Sequence, residues 1–439
     1  MKKTDRGNYR PIAILPVLSK ICERAVFDQL YDHIKGNLYS CQSGFRPRYS
    51  TETSLLNITD DWFDAIDKGN VIGLVMLDLK KAFDTVHHET LIDKLKLYNL
   101  NDECIVWFKD YLSNRSHNVS VNGISSKQAD CVCGIPQGSI LGPLLFILYI
   151  NDLPNVVSGK TKVSMYADDT ALYTVCKDVN DLNCTLNTDL KNVSNWVTRN
   201  KLSLNVRKTE LLVMGSKQRL CRINDENINV QINGTKLTRV KKCKHLGVII
   251  DENLSWNDHV QHIEKKVKPG LYYLNKARSL IPSKTLDMLY KSIIAPHFDY
   301  CNVIWGTCNQ SSFCKVQKLQ NRAARISTGV GRYESATTAL STMKWHNLRE
   351  RHDNHLASTM YKIMNNQVPS YLTKRFSLRD SGYNLRGHKN VFIPKPRTEF
   401  KKRSFSYKGA IHWNALPDLT KQACNISQFQ KRLPNKQYF

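Results

Sequence analysis

The segment VSMYADDTALYT (Val163–Thr174) sets two adjacent carboxylates, Asp168 and Asp169, in an otherwise apolar run. The pattern on either side reads as strand, turn, strand, with both acids near the turn. Neighbouring carboxylates repel and resist burial. The pair therefore belongs either at an exposed hairpin tip or beside something doubly positive. Adjacent Asp residues at a turn are common, and alone they signal only the turn. Asp84 and the pair Asp60–Asp61 read in that plainer way, as solvated or capping acids.

A second segment, VIGLVMLDL (Val71–Leu79), follows Gly69–Asn70 and reads as a buried central strand ending in Asp78. Ninety positions separate Asp78 from Asp168, but the three acids meet if their strands are neighbours in one sheet. Converging carboxylates need divalent cations. Two Mg²⁺ ions roughly 3.5–4 Å apart would form the clamp used for in-line phosphoryl transfer. Hard oxygen donors, without His or Cys at these positions, favour Mg²⁺ over Zn²⁺, with Mn²⁺ as a substitute.

Around these acids, Leu18–Ile34, the segment HHETLIDKLKLY, the residues after Ser139 and DVNDLNCTLNTDLKNVSNWVTRN carry helical spacing. In the first of these, Leu18, Ile21, Cys22, Ala25, Leu30 and Ile34 fall roughly on one face. LSLNVRKTELLVMG and HLGVIIDENLSW read as further strands with loops. The alternation ends near Trp256. Helices follow, and the Pro-, Gly- and Arg-richer tail from about Asp380 is expected to be loosely structured.

Charge divides the chain at nearly the same place. The whole sequence of 439 residues carries a net charge of +26. Residues 261–439 hold 31 Lys and Arg against nine Asp and Glu, whereas residues 1–260 are close to neutral. Such a surplus points to a polyanion, with nucleic acid ahead of an anionic membrane. The longest apolar run, Ile140–Ile150, is too short to span a bilayer and is broken by Gly142 and Pro143. The N-terminus lacks the apolar core of a secretion signal, and the 13 scattered cysteines read as reduced thiols. An intracellular protein, nuclear and/or cytoplasmic and not secreted, is expected.

Seven blocks occur in order: NYRPIAILPVLSKICERAV, QSGFRPRYSTETSLL, LDLKKAFDTVHHETLIDKL, GIPQGSILGPLLFILYINDLP, YADDTALY, NKLSLNVRKTELLVMG and HLGVIIDENLSW. Over roughly Asn8 to Trp256 the chain resembles the reverse transcriptases of non-LTR (LINE-type) retrotransposons, especially the jockey-like group. The resemblance implies an α+β, right-hand polymerase with a ferredoxin-like palm sheet. Residues 1–70 would be partial fingers, and 71–256 the palm with remaining fingers elements, the reverse transcriptase domain covering about 8–256. Residues 257–379 would form a helical basic thumb or connection, and 380–439 a basic C-terminal segment.

Residue by residue, the resemblance makes Asp78, Asp168 and Asp169 the metal carboxylates. Lys208 becomes the group that protonates or neutralises the leaving pyrophosphate. Arg46 would grip the triphosphate. Phe83 would crowd the sugar 2′ position, unless it is simply an aromatic core residue. Gln137 and Gly138 would contact the incoming nucleotide and template. Lys265, Lys266, Lys268, Lys276, Arg278, Arg322 and Arg325 would hold the template–primer duplex. The segment KPRTEFKKRSFSYKGAIHW interleaves cations with Phe400, Phe405, Tyr407 and Trp413, suiting either stacked nucleic acid or ordinary buried aromatics.

The implied partners are template RNA, a DNA primer and deoxynucleoside triphosphates, with no membrane. Nothing here resembles the family's endonuclease, so a separate nuclease is expected, and the chain reads as a fragment of a longer element product. A catalytically silent, nucleic-acid-binding remnant is the alternative reading.

Overall fold

The computed structural model describes residues 12–331, 333–379 and 390–433. Its centre is a five-stranded sheet built on β1 (Val71–Leu77), which pairs antiparallel with β3 (Asp169–Cys176) on one side and β4 (Glu210–Met214) on the other. β2 (Thr161–Tyr166) flanks β3, and β5 (Thr238–Val240) lies parallel to β4, giving the order β5-β4-β1-β3-β2. After α3 (His88–Leu97) and α4 (Asp102–Leu112), helix α5 (Leu141–Tyr149) also lies between β1 and β2 in the chain, and α6 (Val179–Arg199) between β3 and β4. That connectivity, with the spatial order β4-β1-β3-β2, is the βαββαβ ferredoxin-like arrangement.

The sheet is buried on both faces, which explains the unbroken apolar run of β1. Val71, Val75 and Leu77 pack in one core with α5 and with Leu182, Leu186 and Leu190 of α6. A side chain on Gly73 would strike Leu182 and Leu186, so the glycine lets α6 sit close. Ile72 and Leu74 face a second core containing Leu55, Trp62 and Phe63 of α2 (Thr51–Asp67).

That second core runs on without a break. It takes in the hairpin of β6 (Lys242–His245) and β7 (Val248–Asp251), then α7 (Asn257–Ala277), α8 (Gln310–Thr328) and α9 (Leu348–Met364). It ends in α10 (Phe405–Asn414) and Phe429. The C-terminal segment therefore differs from the loose tail expected, because residues 399–431 carry four helices that put Phe400, Phe405, Trp413 and Phe429 in or against this core. Phe405 and Trp413 are buried at 5% and 2% exposure, which decides for the packed reading of that segment. Of it, 380–389 and 434–439 lie outside the described residues.

Two further expectations need correction. In α1 (Val17–Ile34), Leu18 and Ile21 are exposed, whereas Glu23 is buried. Glu23 accepts the Ile140 and Leu141 N–H groups at 2.6 and 3.2 Å, and the Tyr111 hydroxyl at 3.1 Å. It thus supplies the negative charge that the start of α5 lacks in its own sequence. Asp60 and Asp61 are not solvated. They are held on α2 by Arg375 and Ser406, more than 300 positions away.

Candidate active site

The palm topology brings the end of β1 beside the β2–β3 turn. Thr170 pairs with Leu77, so Asp169, the first residue of β3, lies one position beyond the last pair, as does Asp78. Tyr166 pairs with Asp169, leaving Ala167 and Asp168 as a two-residue tip. Ala167 sits at φ 56°, a left-handed conformation costing an alanine roughly 1–2 kcal/mol. The surrounding chain enforces it. The Gln42 side-chain carbonyl accepts the Ala167 N–H at 3.1 Å and the Gly44 N–H at 2.8 Å. Met165 exchanges backbone hydrogen bonds with Cys41 and Ser43. A side chain on Gly44 would collide with the Ala167 nitrogen, so only glycine permits this approach.

Asp78 is positioned from the other side. Asn205 donates its side-chain amide to Asp78 Oδ2 at 2.8 Å and its backbone N–H to the Asp78 carbonyl at 2.7 Å. The short helical turn beginning one residue later, Val206–Lys208, presents an exposed Lys208.

Electrostatically the three acids form one group. Asp169 is the most accessible of them, yet the protein around it, and then the charges of Asp168 and Asp78, raise its carboxyl pKa. Among the described residues none of the three makes an ion pair, and no three His, Cys, Asp or Glu side chains are gathered into a ready metal cage. The donor set is three hard carboxylates that repel one another, which fits a divalent oxygen-seeking cation.

The loop after β1 is knitted to the loop before α5. Ile135 and Gly134 donate backbone N–H groups to the Phe83 and Val86 carbonyls at 3.0 and 2.7 Å. Gln137 Nε2 donates to Asp84 Oδ1 at 2.7 Å, so Asp84 orients a neighbour rather than sitting solvated. Gly138 has φ 103°, and a side chain there would meet the Ala13 carbonyl. Phe83 stacks on Phe146 at 4.2 Å and meets Phe45 edge-on at 6.3 Å. Arg46 donates to the Tyr39 and Gln42 carbonyls and lies over the Tyr49 ring, while its Nε is buried without a partner.

Contacts thus link the segments carrying Arg46, Asp78, Phe83, Gln137, Gly138, Asp168, Asp169 and Lys208. The seven thumb cations stand apart, on α7, just beyond its end and on α8. Gln42 and Asn205 were not singled out from sequence. Their only signal was their place inside the QSGFR and LSLNVRK blocks.

Comparison with known proteins matches residues 1–250 to the family described as "Reverse transcriptase (RNA-dependent DNA polymerase)". The chain is 28% identical over 393 residues to the "Probable RNA-directed DNA polymerase from transposon X-element" of Drosophila melanogaster, covering 84% of this chain and 42% of that protein. It is 26% identical over 427 residues to the "RNA-directed DNA polymerase from mobile element jockey" of the same species, covering 95% and 44%. The chain therefore spans less than half the length of these curated relatives. Apo telomerase from Candida tropicalis overlays 81% of the chain and 55% of its own, at 11% identity and a TM-score of 0.39. No helix among the described residues is long and apolar enough to cross a membrane.

Proposed function

The chain belongs to the reverse transcriptase family, and from that premise we propose that it is an RNA-directed DNA polymerase of a non-LTR retrotransposon. The observation that carries the proposal is the crowding of Asp78, Asp168 and Asp169 at one end of the palm sheet, without ion-pair partners among the described residues. These three carboxylates would hold two Mg²⁺ ions, with Mn²⁺ as a substitute, which supply Lewis-acid stabilisation of the attacking and leaving oxygens.

The remaining roles belong to the chain's own side chains. Asn205 fixes the rotamer of Asp78, and Gln42 fixes the hairpin tip that aims Asp168 and Asp169. Gln137, oriented by Asp84, presents its amide to the incoming nucleotide, and Gly138 lets the backbone come close. Phe83, stiffened by stacking on Phe146, bars a 2′-hydroxyl and so selects deoxynucleoside triphosphates. Arg46 neutralises triphosphate oxygens, and Lys208 gives up a proton to, or neutralises, the departing pyrophosphate. A template RNA and a DNA primer occupy the cleft between palm and thumb, in the nucleus or cytoplasm. Priming at a chromosomal nick would require an endonuclease activity.

Primer extension on an RNA template with labelled deoxynucleotides and Mg²⁺ tests this reading. Extension by the wild type and none by Asp168→Ala/Asp169→Ala is the expected result. Equal extension by both would overturn the site. Binding of the hybrid without extension by either would favour a silent nucleic-acid-binding remnant.

A further inference from the structure

The structure divides five of the seven cations expected on one duplex surface into two sets. In α7, Val260, Ile263, Val267, Leu271 and Leu274 are buried. Lys266 and Asn275 are nine residues apart, which at 3.6 residues per turn puts them on opposite flanks of the helix. On the Lys266 flank, His262 has Lys244, Lys266, His297 and Lys265 within electrostatic reach. Lys244 belongs to the β6–β7 hairpin, where Tyr300 donates to the Leu246 carbonyl at 2.8 Å. Tyr300 in turn lies within electrostatic reach of Tyr166, two residues before Asp168. That flank is continuous with the catalytic hairpin.

The other flank carries a cavity of about 550 Å³, lined by Asn275, Arg278, Arg322, Arg325, Ile326 and Val330. No acid lines it. Among the described residues Arg278 and Arg322 have no ion pair or hydrogen bond, and Arg325 uses only Nε, on the Glu334 carbonyl. Three guanidinium groups around one cavity suit phosphate oxygens. Ile326 and Val330 add an apolar wall. Such a wall serves an unpaired nucleotide, because paired bases keep their faces stacked in the duplex. Along α8, Lys315, Lys318, Arg322 and Arg325 fall at i, i+3, i+7 and i+10, one stripe about 15 Å long. A small anion would occupy one end of this stripe, whereas a strand would use all of it.

We propose that this cavity and stripe are a second nucleic-acid site, binding the phosphates of a single strand that runs outside the cleft, on the flank of α7 opposite the duplex. The inference goes beyond the polymerase reading, and its test needs no polymerisation. Binding of the full chain is followed by fluorescence anisotropy with three probes: a blunt RNA–DNA hybrid, the same hybrid with a long single-stranded RNA extension, and labelled ATP.

Arg278→Gln/Arg322→Gln/Arg325→Gln is expected to weaken binding of the extended hybrid by about tenfold or more. Its log–log salt slope should flatten by about two to three, while the blunt hybrid stays within about twofold. Lys244→Gln/Lys266→Gln should weaken both hybrids. An equal loss on the blunt hybrid would assign the arginines to the duplex surface and overturn the proposal. So would no loss on either hybrid, or loss of ATP binding alone. Should the triple variant melt below the wild type, Arg322→Gln alone, at an exposed position, is expected to lose a smaller amount on the extended hybrid only. An unchanged affinity there would equally overturn the proposal.

Discussion

Two groups of aspartates adjoin the palm sheet, one on α2 against a face and one at the strand ends, and the chain treats them in opposite ways. On α2, each acid is met by the C-terminal segment or the sheet. Asp60, at 1% exposure, accepts the Ser406 N–H at 3.1 Å and lies near Arg375. Asp61 holds Arg375, Lys162 and the Tyr173 hydroxyl at 2.6–2.7 Å. Asp64 pairs with Lys401, and Asp67 accepts the Arg397 and Thr398 N–H groups. Burial pushes the Asp60 carboxyl upward despite Arg375 and Lys401. Burial also raises Asp61, but Arg375, Lys162 and Tyr173 together outweigh it and hold that carboxyl below the usual range.

Asp78, Asp168 and Asp169 receive one amide from Asn205 and otherwise one another's repulsion. A chain with a +26 surplus has cations to spare. Among the described residues it sets them on the structural acids and leaves the palm acids without an ion pair. That contrast marks the palm acids as a place for something from outside the chain.

The sharpest way to break the contrast is to remove one partner from the structural group. Arg375→Ala leaves Asp60 buried with less compensation and should cost about 3–5 kcal/mol, read by denaturant unfolding. A loss below about 1 kcal/mol would mean the α2 acids are merely tolerated.

An effect smaller per pH unit probes the same lobe without touching the palm acids. Burial holds His352 at about 3, and burial with His262 holds His259 at about 4. A histidine with a folded pKa below its unfolded value of about 6.5 adds stability above that pH. The contribution fades as pH falls from there toward the folded value, because only the unfolded chain takes up the proton. Melting followed from pH 7 to 4 should show up to about 1.4 kcal/mol lost per pH unit for each such histidine. His352→Gln should flatten the profile. An unchanged slope would assign the acid sensitivity elsewhere.

The smallest effect has the opposite sign. Burial, and then the charges of Asp168 and Asp78, raise the Asp169 carboxyl, so its ionised form costs more in the fold than in the unfolded chain. Asp169→Asn should leave the melting temperature at or slightly above that of the wild type. A clear fall would show that the palm acids carry stabilising contacts after all.

These contrasts also explain how far the sequence could be read. The strand–turn–strand around Asp168–Asp169 and the strand before Asp78 were legible, because short apolar runs bounded by turn residues are local signals. Helix α6 was legible for the same reason, with Leu182, Leu186, Leu190, Val193 and Val197 buried as its spacing predicts. That β1 lies between β3 and β4 came only through the family resemblance, since no local pattern encodes strand order.

Gln42 stayed hidden because its partner, Ala167, is 125 residues away. The partners of Asp60 are more remote still. Charge counting overstated the basic surface of the C-terminal part. Arg375, Lys401 and Arg403 are spent inside the fold, Arg403 on the Leu254 and Thr307 carbonyls and the Phe63 ring. Composition records how many cations a segment has, not where each one ends.

The most direct test is Mn²⁺ uptake, followed by electron paramagnetic resonance in the whole chain and in Asp78→Asn/Asp168→Asn/Asp169→Asn. The account predicts that the wild type takes up Mn²⁺, that Mg²⁺ displaces it, and that the variant binds none while melting no lower. Equal uptake by both proteins would contradict it, because the unpaired palm acids would then not be the metal site.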